Sequence, residues 1–281
     1  MKLLIVIAFH FNPEKIELLK KVVSLHPAIT DQVECIVTTN SVKSSELDEI
    51  MHLTPKVENY KLEVVSFPNL PHPWLLPWGH KQIVKEKFSD PSYTHFLYIE
   101  DDMGFNRMNF DYWLESRELI KDTGLYPSFN RVEFNGVRNL WVLVDQVEPI
   151  SALETGVISR SNENKFFMNL KNPYQGLFLY DRELMLEHIN SYTFDINKYG
   201  RVDLIDHNPE WPGGGVAERA NFALTFDSIP SGFTSRSAVC VIENLGILDP
   251  RSFVHHLPNK YTNLDNSCFG RVPALQPVIR C

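Results

Sequence analysis

The first hundred residues alternate between short apolar, β-branched runs and segments with helical spacing. Leu3 to Phe9 predicts a strand, and the next segment a helix with Pro13 in its first turn and Ile16, Leu18, Leu19, Val22 and Val23 on one face. Glu34 to Thr38, Leu62 to Phe67 and His95 to Ile99 predict three further strands, with helices expected at Ser44 to Met51 and Pro77 to Phe88. Strands and helices in strict alternation predict right-handed crossovers and an α/β fold with a mostly parallel central sheet and helices on both faces.

The second half is less regular. Asp145 to Asn172 is polar and reads as a long loop, followed by a strand at Leu177 to Tyr180 and a helix at Arg182 to Ile189. The breaker Pro212-Gly213-Gly214-Gly215 precedes a helix expected over Val216 to Phe226, and Ala238 to Ile242 predicts another buried strand. Without an internal repeat or a clean linker, residues 1–281 are expected to form one domain, with a sheet half over 1–105 and an irregular half over 106–281.

Composition narrows the function classes. A chain of 281 residues, 43% apolar, has the length and apolar content for a substantial core. With 35 acidic and 27 basic residues and a net charge of -8, it presents no general field for a polyanion, so nucleic acid is not expected as a partner and any phosphate site must be local or built around a cation. Cys35, Cys240, Cys268 and Cys281 form no C-x-x-C pair, which favours a reduced compartment. Leu3 to Phe9 lacks a small-x-small cleavage site, and no stretch reaches the roughly 20 apolar residues of a membrane span, so a cytoplasmic protein is expected.

In an open parallel sheet, ligands bind where the strands end at their carboxyl rim. The residues that emerge there are His10-Phe11-Asn12, Thr39-Asn40, Pro68-Asn69 and Glu100-Asp101-Asp102. Three adjacent carboxylates repel one another unless a cation or ample water relieves them. The triplet therefore reads either as an Mg²⁺ or Mn²⁺ site, in which one or two carboxylates, waters and a diphosphate share the ion, or as an acidic turn that caps the next element.

Glu100-Asp101-Asp102 at the end of the fourth strand resembles the D-x-D motif of GT-A glycosyltransferases, nucleotide-sugar enzymes with a Rossmann-type α/β/α sandwich. The resemblance covers about the first 105 residues. It implies that Asp102 holds the metal bridging the donor diphosphate, while Glu100 or Asp101 reaches the ribose or a metal-bound water; Glu100 is also a candidate ligand. Phe253-Val254-His255-His256-Leu257-Pro258-Asn259-Lys260-Tyr261 is similar to the late histidine segment that completes the metal shell in such enzymes. It implies His256, ahead of His255, as a ligand, and Lys260 as a point cation for phosphate. Carboxylates with one imidazole favour manganese over calcium. Each histidine also reads as an ordinary surface or packing residue.

Glu210-Trp211-Pro212-Gly213-Gly214-Gly215-Val216-Ala217-Glu218 resembles the W-G-G-E-D element of inverting galactosyltransferases, with extra residues before Glu218 and Arg219 in place of a second acid. It implies Trp211 on the acceptor and Glu218 as the base; the alternative for Glu218 is a helix cap that complements the macrodipole. Asp181 is a second candidate base. His10, Asn12, Asn40 and Lys81, with His80 beside it, are candidate donor contacts, and Tyr174 a candidate acceptor contact. Trp74 and Trp78 read either as stacking faces or as helix anchors. The implied reaction is transfer of a sugar from a nucleoside diphosphate, UDP foremost, to a glycan or glycoconjugate hydroxyl, with inversion. A nucleotidyltransferase is the nearest rival, although the loop after the first strand has neither its glycines nor its positive charge. A carbohydrate-binding protein without catalysis is the rival of another class.

Overall fold

The computed structural model describes residues 1–151, 156–160, 164–170, 172–200, 215–262 and 269–278. In chain order its elements begin β1 (Lys2–Phe9), α1 (Ile16–Leu25), β2 (Gln32–Thr39), α2 (Ser44–Met51), β3 (Tyr60–Ser66), α3 (Gly79–Lys87), β4 (His95–Glu100), β5 (Met103–Gly104), α4 (Arg107–Ile120), β6 (Tyr126–Pro127), β7 (Asn130–Asn135) and β8 (Leu140–Leu143). They continue with β9 (Val157–Arg160), β10 (Lys165–Asn169), β11 (Leu177–Asp181), α5 (Arg182–Asn190), α6 (Ile196–Tyr199), α7 (Val216–Asn221), β12 (Ser237–Ile242), β13 (Ile247–Leu248), β14 (Phe253–His256) and β15 (Val272–Pro273). The protein is mixed α/β. It divides into two compact units, Met1–Asp102 with Gln175–Leu224, and Met103–Tyr174 with Thr225–Cys281. The segment 175–224, grouped by sequence with the irregular half, thus belongs with the first sheet.

The first unit is built on a five-stranded sheet in the order β11-β4-β1-β2-β3. Strands β4, β1, β2 and β3 are parallel, as their alternation with helices predicts. Leu3 to Ile7 of β1 are all fully buried, which explains an uninterrupted apolar run: a central parallel strand is covered on both faces. The edge strand β3 is less covered and reads less apolar. Strand β11 runs antiparallel to β4, pairing Leu177 with Ile99 and Asp181 with His95. Helix α1 buries Ile16, Leu19, Val22 and Val23, the spacing seen in the sequence. The helix expected at Pro77 to Phe88 is split, with a 3-10 segment at Pro73–Trp78 leading into α3.

The second unit holds two further five-stranded sheets, one with β13-β12-β10-β9 and β6 paired to β12, the other in the order β15-β8-β7-β14-β5. The long loop expected over 145–172 is corrected here: β9 and β10 lie within it, and Phe167 and Met168 of β10 enter the core. Helix α4, for which the sequence carried no expectation, is capped by reciprocal Asn106 and Asn109 bonds and buries Phe110, Trp113, Ser116, Arg117 and Ile120. The helix expected to reach Phe226 stops at Asn221, and the chain turns at Ala223 with a φ of 45°. Cys35 and Cys240 are free and buried. Among the described residues no helix is long and apolar enough to cross a membrane.

Candidate functional site

In the first sheet, β1 is flanked by β2 on one side and β4 on the other, so successive crossovers leave it in opposite directions. The carboxyl ends of β1 and β4 thus frame a topological switch point, where an open α/β sheet leaves a crevice for ligand. Ala8 of β1 pairs in register with Glu100 of β4, which brings the loop after Phe9 and the acidic turn to one rim. Glu100 and Asp102 are half-buried, and Asp101 is buried. Lys15 Nζ stands 3.5 Å from Asp101 Oδ2, a local counterion for one of the three acids.

The asparagines at this rim shape its loops. Asn12 Oδ1 accepts from Glu14 N at 3.0 Å and caps the 3-10 turn Pro13–Lys15. Asn40 Oδ1 accepts from Phe11 N at 2.9 Å and ties the loop after β2 to the loop after β1. His10 is exposed beside them.

Tyr98, on β4, lies beneath the acidic turn and is 1% exposed. Its phenol is held well above its ordinary value, first by burial and then by the facing charge of Glu100, with Asp101 and Glu218 adding to it and the Asn221 side chain working the other way. Glu218 thus acts on the same buried phenol as the acidic turn. It is exposed in the first turn of α7, and a Cβ placed on Gly215 would come within 2.7 Å of its Oε2, so the glycine makes room for this carboxylate. Trp78 Nε1 donates to Val216 O at 2.8 Å and anchors α7. Of the two tryptophans before α3, Trp78 is thus a buried anchor, whereas Trp74 is 49% exposed. Trp211 and the stretch from Glu210 to Gly214 lie outside the described residues.

Two expected site residues face elsewhere in this unit. Asp181 pairs with His95, at the amino-terminal end of β4 and hence at the far end of the sheet from Glu100. Its carboxylate accepts from Leu184 N at 2.8 Å and caps α5, which accounts for an acid at that position without a role as base. Lys81 is buried, donates to Thr193 O and sits over the Trp78 ring. His80, also buried, packs on Tyr98 with ring centroids 4.4 Å apart.

In the second unit, β14 pairs with β5 so that His256 stands opposite Met103 and His255 opposite Gly104. His256 is 1% exposed and donates through Nδ1 to Glu133, which is fully buried on β7. Glu133 also accepts from Tyr261 N at 3.2 Å and Thr262 N at 2.6 Å. Burial alone would raise this carboxyl, but the bonds from His256, Thr262 and Tyr261 together hold it below its usual value. His255 is half-buried, bonds through Nε2 to Asn259 Oδ1 at 3.1 Å and meets Trp141 edge to face. Tyr174 is buried under Arg131, whose guanidinium lies 4.9 Å from the centroids of both Tyr174 and Tyr261 and forms a two-pronged bond to Asp145. Lys260 is exposed, with Nζ 5.1 Å from the Tyr261 ring.

Among the described residues no group of three or more His, Cys, Asp and Glu is gathered to hold a metal ion. Tyr98, Asn221, Arg131, Glu133 and Asp145 were not foreseen. The one available signal was the Arg131-Val132-Glu133 alternation, which puts two charges on one face of a strand. The chain matches no protein-family model and no curated protein, so the reading of the site rests on its own geometry.

Proposed function

We propose that the protein is a divalent-metal-dependent glycosyltransferase of the GT-A type, moving a sugar from a nucleoside diphosphate, UDP foremost, to a hydroxyl of a glycan or glycoconjugate with inversion. The observation that carries this reading is the acidic turn Glu100-Asp101-Asp102 at the switch point between the carboxyl ends of β4 and β1. Glu218, whose charge acts with that of Glu100 and Asp101 on the buried Tyr98 phenol, is the proposed base.

Asp102, with Glu100 as an alternate, is the proposed metal ligand; His256, named with them from the sequence, belongs to the second unit. The hard carboxylate oxygens of the acidic turn suit Mn²⁺ or Mg²⁺. Because fewer than three such groups gather among the described residues, donor phosphates and waters would supply the remaining positions. When bound, the ion would offset charge on the departing diphosphate.

In the proposed step the acceptor oxygen forms a bond to the anomeric carbon as the bond from that carbon to the diphosphate breaks, and Glu218 takes the hydroxyl proton. An exposed carboxylate at a helix start is accessible to an entering acceptor, as this requires. His10 is the exposed candidate for the donor base. Lys15, beside Asp101, offsets part of the turn's negative charge.

The test is release of UDP from a panel of UDP-sugars, with and without Mn²⁺ and acceptor. Release that depends on Mn²⁺ and is lost in Asp102→Asn is the expected result. Full turnover by Asp102→Asn in chelator-treated protein would overturn the metal assignment. Retention of anomeric configuration, read by NMR of the product, would remove Glu218 from its role.

A further inference from the structure

Within the first unit a cavity of about 630 Å³ opens between the start of α3 and the segment Ser191 to Ile196. Pockets that enclose a small organic ligand typically measure about 300–1,000 Å³ and are mainly apolar. Phe67, Leu75, Trp78, Phe194 and Ile196 are among the residues of its wall, and Lys81 is on it. Lys81 is only 4% exposed. Its Nζ donates to Thr193 O and sits 3.8 Å from the Trp78 ring centroid. Among the described residues no carboxylate forms an ion pair with it.

Burial holds the Lys81 amine well below its ordinary value, with the charge of Asp195 opposing; held by a carbonyl and a ring face, it has among the described residues no directly paired anion of the kind that would restore its charge. Asp195 is on the same wall, but its carboxylate accepts from Asn197 N at 2.9 Å and pairs with Lys198 at 3.6 Å, so it reaches Lys81 only through space. The imidazoles behind Lys81 cannot compensate it either. Burial, aided by Lys81 itself, holds His80 down to about 3 and His188 well below its ordinary value, leaving both neutral. Lys85, one turn further along α3, lines the cavity with a second ammonium. In a chain of net charge -8, this apolar cavity has two lysines against one aspartate.

We infer that the cavity binds an amphiphilic anion, with an apolar aliphatic or aryl body against the aromatic wall and a single carboxylate or phosphate monoester paired with Lys81. The inference does not rest on the glycosyl-transfer reading. An apolar body suits walls that offer few hydrogen bonds, and a single acid suits the excess of one positive charge.

The experiment is isothermal titration of the full chain with octanoate, octyl phosphate and octan-1-ol, without metal or nucleotide. At least one of the two acids should bind tenfold or more tightly than the alcohol, and whichever acid binds better identifies the head group. In Lys81→Met that preference should vanish while the alcohol binds as before. Leu70→Trp, a bulkier side chain on the cavity wall, should weaken all three probes, and serves if Lys81→Met does not fold. Equal affinity for acids and alcohol, a preference that survives Lys81→Met, or no binding by any probe would overturn the inference. Because no donor is present, such a failure is distinct from failure to release UDP.

Discussion

Glu133 and His256 form a buried carboxylate–imidazole pair, with the carboxylate on β7 and the imidazole on the neighbouring strand β14. The same carboxylate receives the backbone N–H groups of Tyr261 and Thr262, so one side chain fixes both a histidine ring and the turn after it. This arrangement sets which nitrogen of His256 faces away from the protein acid, and so how the imidazole could meet a ligand.

Glu133→Ala should destabilise the protein by about 3–5 kcal/mol, because it strands two amides and an imidazole in the interior. Glu133→Gln should cost less. The folded carboxyl titrates below its ordinary value, so its contribution is complete above the unfolded value of about 4.3 and is lost as pH falls through the lower folded value. The gap between wild type and Glu133→Gln in urea unfolding should therefore narrow in acid. A gap that widened there would contradict the pairing.

Asp181 and Glu218 should separate cleanly. Asp181→Ala removes the cap of α5 and should cost about 1 kcal/mol, with transfer unchanged. Glu218→Gln alters an exposed side chain and should leave stability nearly intact while lowering transfer on the order of 10²- to 10⁴-fold. Thermal unfolding and sugar-transfer rates on both variants check this; the reverse pattern would exchange their roles.

Trp78→Phe removes the indole N–H that holds Val216 O and should cost about 1 kcal/mol. Since α7 presents Glu218, the substitution should lower kcat while leaving the KM for donor close to wild type. A change confined to KM would show that Trp78 contacts the donor and does not act through α7.

Burial holds His26 and His80 down to about 3 and His95 down to about 4. Each stays neutral in the fold while the unfolded chain takes up a proton near pH 6.5. Stability is therefore complete above about pH 6.5 and falls as pH drops toward the folded values, by up to about 1.4 kcal/mol per pH unit for each group. Urea unfolding between pH 7.5 and 4.5 should show this decline. In His26→Gln it should be shallower by one proton, and an unchanged slope would exclude His26 as a contributor.

The elements around the rim were legible because they are local. Strands β1, β2 and β4 are buried on both faces and announce themselves as apolar runs, and α1 carries its buried face at helical spacing. The second unit was harder to read. Its strands are short, β7 alternates charged and apolar residues, and β9 and β10 sit within a polar stretch. Helix α4 buries Ser116 and Arg117 along with its aromatic residues, which blurs the apolar stripe by which a helix is recognised.

The sequence by itself determined the alternation that makes the first sheet parallel, the position of three acids at a strand end, and the strand and helix on either side of Asp181. It could not determine direction or partnership across the chain. Only the tertiary structure put β11 antiparallel beside β4, which sends Asp181 to the far end of the sheet, paired Glu133 with His256, and buried Lys81 in a largely apolar wall with no direct ion pair among the described residues. The physical reason is that an apolar run records burial and period within one segment, whereas a carboxylate's role depends on which groups from distant segments share its hydrogen bonds and field.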